Sequence, residues 1–66
     1  MEKDWHGRWE FRNVMHHLHG TSGTNTVRAK DEKSARERLK LKASCALFGT
    51  TMMQTYITIH NIELRR

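Results

Sequence analysis

The stretch "VMHHLHGTSG" sets three histidines, His16, His17 and His19, within four positions ahead of two glycines. Neutral imidazole is the commonest metal ligand in proteins, so metal coordination is the first chemistry this spacing raises. Strand alternation puts His17 and His19 on one face and separates them from His16. Two ligands do not close a site, because a tetrahedral centre needs a third and a fourth with outer-shell support. His6 and His60 could supply them only if the fold brings them near. A surface histidine cluster at a hairpin end is the commoner arrangement, and neither a metal nor a cofactor is expected.

Nucleophilic chemistry has less to draw on. The single cysteine, Cys45, lies in an apolar helical stretch with no histidine at helical spacing, so the activated-thiolate pattern is missing. It also excludes an intrachain disulfide and fits a reducing cytosol. Paired carboxylates, a glycine-rich phosphate loop and a Ser, His, Asp arrangement are not evident. The expectation is a non-enzyme.

The elements that position these residues follow from their periodicities. Gly7, Trp9 and Phe11 alternate with Arg8, Glu10 and Arg12, the two-residue period of a half-buried strand. Val14, His16 and Leu18 continue in the opposite register, which places a bulge or bend near Asn13 in a strand running from Trp5 to Leu18. Gly20, Ser22 and Gly23 carry turn chemistry, and "TVRAK" alternates again, so a hairpin is expected. "KDEKSARERLKLKASCALFGTT" is rich in helix formers. Asp31 is one possible N-cap, Ser34 with Glu37 a capping box for a later start, and Gly49 a stop. The tail "MMQTYITIHNIELRR" is β-branched and reads as the last strand, its parity slipping near His60 and Asn61.

The order is ββαβ, a single small α+β domain over residues 1–66: a three-stranded antiparallel or mixed sheet with one helix packed on one face. A right-handed crossover brings the third strand beside the first, parallel to the second. Inward positions are Trp9, Phe11, Val27, Ala29, Met53, Ile57 and Ile59. On the helix, Ala35, Leu39, Ala43, Ala46 and Leu47 form the stripe that should lie on the sheet. Leu41, Cys45 and Phe48 form a second stripe about 180° away, which a two-layer fold leaves uncovered.

That second stripe implies an interface with Phe48 as anchor. Cations edge it, Lys33, Arg36 and Lys40 on one side and Arg38 and Lys42 on the other, which suits an acidic protein groove or a nucleoprotein surface. The opposite sheet face should expose Arg8, Glu10, Arg12, Arg28, Lys30, Gln54, Tyr56 and Thr58. Base stacking has only Tyr56 to use there, whereas phosphate contact through Arg8, Arg12, Arg28 and Lys30 needs charge alone.

Composition agrees with a partner of some kind. Twelve Lys and Arg against seven Asp and Glu give +5, and the pI is near 10.0, a balance that attracts phosphate backbones or acidic protein faces. Only 36% of the 66 residues are apolar and the mean hydropathy is −0.81, so the core is about one layer deep or is completed by a second subunit. A homodimer is expected. No stretch approaches the roughly 20 apolar residues of a membrane helix, and "MEKDWHG" is charged without a following apolar run, so neither insertion nor export is expected.

The segment "TVRAKDEKSARERLKLKASCALFGTTMMQTYITI", a little over half of the chain, resembles the strand, Ala-x-Asp, short helix, strand pattern of many small phage proteins. Phage inhibitors of host RNA polymerase and several anti-CRISPR proteins are among them. The resemblance is architectural and carries no site residues. It implies a compact protein acting in the bacterial cytoplasm by occupying a host protein or nucleoprotein complex. A small basic protein contacting DNA or RNA phosphates, with a dimeric regulator as one form of it, is the alternative.

Overall fold

The computed structural model describes residues 1–65; Arg66, the end of the segment assigned to the last strand, lies outside the described residues. The elements are β1 (Lys3–Phe11), β2 (Ser22–Ala29), α1 (Glu32–Phe48), a 3-10 turn (Gln54–Tyr56) and β3 (Ile57–Arg65). The sheet has the order β2-β1-β3 with β1 antiparallel to both neighbours, so β3 runs parallel to β2 as the crossover requires.

The sheet's inward face alternates as the strand period demands. Trp9 and Phe11 of β1, Val27 and Ala29 of β2, and Ile57 and Ile59 of β3 are buried beneath Ala35, Leu39 and Ala43 of α1. Gly7 shares that face and admits the helix. A Cβ there would stand 2.4 Å from Leu39 Cδ1 and 3.0 Å from the Asn61 carbonyl oxygen. Gly23 does the same for Trp9, whose ring lies 2.7 Å from where a Cβ would be. The buried indole N–H of Trp9 meets the Asn25 amide, which accepts at 3.0 Å when its oxygen faces the ring.

Asp31, rather than the Ser34 and Glu37 box, caps α1: its Oδ1 accepts the Ser34 N–H at 2.8 Å. That bond, with Lys30 and Lys33 adding to it, holds the Asp31 carboxyl below its ordinary range. Gly49 ends the helix in the left-handed conformation at φ 71°, its N–H donating to the Cys45 carbonyl.

The helix stripe departs from expectation at its end. Successive i+4 steps advance about 40° around the axis, so a buried flank that begins at Ala35 and Leu39 turns progressively along the helix. By the last turns it includes Ser44, Leu47 and Phe48, while Ala46 is exposed. Ser44 is fully buried and satisfied on both sides: its Oγ donates to the Thr50 carbonyl and accepts the Met53 N–H at 3.2 Å. It pins the 49–53 connection to the helix, which leaves Met53 only half-buried against the core.

The register slip expected near His60 is a β-bulge. Arg8 pairs with Asn61 while Trp9 pairs with Ile59, leaving His60 as the extra residue of β3. Its Nε2 lies 2.7 Å from Glu10 Oε1, clasping β1 to β3 at the irregularity.

The slip assigned near Asn13 is instead the end of the strand. β1 stops at Phe11, and residues 14–20 form successive turns. Val14 and Met15 are exposed, because the alternation that mimics a strand here is carried by a loop that packs only His16 and Leu18 partly on the core.

Candidate partner-binding groove

The three histidines hold that loop together. Asn13 N–H donates to His19 Nδ1 at 2.9 Å, and Leu18 N–H donates to His16 Nδ1 at 3.0 Å, so two of the three rings accept backbone donors that the turns leave free. His16 stacks on His17 with centroids 4.6 Å apart and meets Phe11 and Phe48 edge-on. His16 and His17 are thus brought together, against the separation that a strand would impose. Among the described residues no group of three or more His, Cys, Asp or Glu side chains is placed to hold a metal ion.

Phe48 is not an outward anchor. Its ring lies 5.0 Å from that of Phe11 and is half-buried on the core, for the reason given by the turning flank of α1. The other two members of the expected stripe, Leu41 and Cys45, face the open edge of β2. With Thr26, Val27, Arg28, Arg38 and Lys42 they line a groove of about 620 Å³ between α1 and β2. Val27, Leu41 and Cys45 form its apolar floor and Arg28, Arg38 and Lys42 its cationic rim.

The pairing of β1 with β2 explains the rim. Phe11 N–H donates to Thr21 O at 2.7 Å, and this phase carried along the ladder turns Gly23, Asn25, Val27 and Ala29 toward β1. Thr24, Thr26 and Arg28 therefore present their backbone groups to the free edge. Lys42 Nζ donates to Thr26 O at 2.8 Å, and Arg38 Nη1 donates to Arg28 O and, at 2.9 Å, to Glu2 Oε2. Arg28 has Asp4 at 3.5 Å. Of the other helix cations, Arg36 pairs with Glu32 at 3.2 Å along the helix, and Lys33 and Lys40 do not line the groove.

The opposite sheet face is polar but not net basic. The register sets Asp4, Glu10 and Glu63 among Arg8, Arg28 and Arg65. The acids at both ends of β1 and in β3 offset the arginines that sequence alternation emphasised. Arg12, just past the strand, lies 3.8 Å from Glu10, and Lys30 follows the end of β2. Tyr56 and Gln54 are not on this face: they belong to the 3-10 turn, and the Tyr56 ring meets Phe11 edge-on at 6.1 Å. The His60 hydrogen bond, with Arg12 and His19 assisting, lowers the Glu10 carboxyl from its ordinary value.

Sequence periodicity placed Leu41, Cys45, Arg38 and Lys42 on the exposed helix and so found half of the groove. It missed Thr26 and Val27, whose contribution depends on β2 being an edge strand. Among the described residues no helix is long and apolar enough to cross a membrane. No protein-family model, curated protein or solved structure matches the chain.

Proposed function

We propose that this is a non-enzymatic binding protein that occupies a surface on a larger partner through the α1/β2 groove. The observation that carries the reading is the groove itself, an apolar floor of Val27, Leu41 and Cys45 rimmed by three cations. Apolar contact supplies affinity at such a site, while the rim selects and orients an acidic partner. An inhibitor of a bacterial host machine, of the anti-CRISPR or polymerase-inhibitor kind, acting in the host cytoplasm, is the specific form we favour; small size and the ββαβ architecture support it. Phosphate binding through the open sheet face is less favoured, because Asp4, Glu10 and Glu63 interrupt its cations.

The test is affinity capture from a bacterial lysate with the tagged protein, beside Leu41→Lys and Arg8→Ala, all three checked for folding by circular dichroism. A stoichiometric host protein retained by wild type and Arg8→Ala but lost with Leu41→Lys supports the reading. Capture indifferent to Leu41→Lys, or salt-sensitive recovery of nucleic acid alone, refutes it.

A further inference from the structure

Resting on the docking reading above, we infer that the groove's occupant is an extended, acidic segment of a partner protein that adds as a fourth strand to the free edge of β2. The edge supplies the backbone partners. Thr24, Thr26 and Arg28 point their N–H and C=O groups away from β1, and among the described residues no acceptor meets these three N–H groups. Strand addition satisfies such a row, giving affinity through the main chain and specificity through alternate side chains.

The helix beside the edge determines which segment fits. Side chains of an added strand that point toward α1 would meet Val27, Leu41 and Cys45, so they are apolar. The rim asks for carboxylates. Arg38 already holds Glu2 and Arg28 already holds Asp4, two acids of this chain standing where a partner's acids would. Lys42 and Arg38 also cover the Thr26 and Arg28 carbonyls, guarding the edge as charged side chains do on unpaired strands. When an acidic strand arrives, its N–H groups take those carbonyls, its carbonyls take the free N–H groups of β2, and its carboxylates take the displaced ammonium and guanidinium. A basic or neutral strand would displace Lys42 without compensation and leave Arg38 with Glu2 alone.

The same charge argues against a second copy in the groove. Two-fold pairing of β2 with β2 would bring Arg38 and Lys42 of both copies to one seam, with Glu2 and Asp4 already engaged.

The probe is the peptide acetyl-(Glu-Val)4-amide, titrated into the isotope-labelled full chain and followed by amide NMR and calorimetry. Three comparisons accompany it: the same peptide N-methylated at alternate residues, acetyl-(Lys-Val)4-amide, and Leu41→Lys protein. Expected are binding of the acidic peptide, slowed amide exchange at Thr24, Thr26 and Arg28, no binding of the lysine peptide, and loss of about tenfold in affinity on N-methylation. Glu2→Gln, which frees Arg38, should tighten binding about threefold.

Equal affinity for the N-methylated peptide, with shifts confined to Leu41, Cys45 and the rim, overturns strand addition while leaving the docking groove standing. Absence of any shift at about millimolar peptide overturns the inference, and the lysate experiment then judges the docking reading separately. Exchange protection of Thr26 that rises with protein concentration without peptide also overturns it, assigning the edge to self-association.

Discussion

Gly7→Ala reverses the sign that strand preference alone would give. In a strand interior, replacing glycine by alanine ordinarily stabilises by about 0.5–1 kcal/mol, because glycine loses more backbone freedom on folding. Here the new methyl stands 2.4 Å from Leu39 Cδ1, where carbon contacts settle near about 3.5–4.0 Å, so a gap of more than about 1 Å must open. Leu39 is fully buried, and the Asn61 carbonyl at 3.0 Å closes the other side. Overpacking of this kind costs about 1–3 kcal/mol, a serious fraction of the roughly 3–10 kcal/mol a chain of this length holds.

Urea unfolding of wild type, Gly7→Ala, Leu39→Ala and the double variant measures it. Leu39→Ala alone should lose about 2–5 kcal/mol by emptying its site. Gly7→Ala should add little further in that background, because the Leu39 clash has gone and only the Asn61 carbonyl still crowds the methyl, giving a coupling of about 1–3 kcal/mol. A Gly7→Ala protein as stable as wild type, or additive losses in the double variant, refutes the seating of α1 on Gly7.

Ser44→Ala should cost about 1–3 kcal/mol by leaving the Thr50 carbonyl and Met53 N–H unpaired, read as a lower urea midpoint; faster amide exchange in residues 50–53 should accompany it. Phe48→Ala should destabilise by about 1–3 kcal/mol, whereas Cys45→Ala should stay within about 0.5 kcal/mol, a contrast that separates core packing from groove lining in one denaturation series. Because the folded Glu10 carboxyl titrates below its ordinary 4.5, its contribution is complete above that pH and disappears as pH falls through the lower folded value. Glu10→Gln should therefore flatten the acid limb of the stability profile, and an unchanged limb contradicts the clasp. His19→Ala should raise amide exchange at Asn13 without moving the groove resonances.

The parts of the fold set by local chemistry were legible in the sequence. Asp31 and Gly49 bound the helix because a carboxylate cap and a left-handed stop act within a few residues. The parity slip at His60 was readable because β-branched residues on both sides of it report which face they occupy. The loop from Arg12 to Thr21 was not readable, since Val14, His16 and Leu18 keep a strand's spacing while the side chains of Asn13, His16 and His19 accept the backbone N–H groups of Met15, Leu18 and Asn13. Phe48 was misplaced because an ideal wheel holds the buried direction constant, and the helix crosses the sheet at a flank that turns. The groove required knowing that β2 lies at the sheet's edge, a fact of topology that no single segment contains.

The extra residue at His60 also changes the outer margin of the sheet. Along the outer margin of β3 the groups facing away fall at Ile57 and Ile59 and then, one position late, at Ile62 and Leu64, so an incoming chain would lose phase midway. The two margins of the sheet are therefore unlike, regular along β2 and out of step along β3.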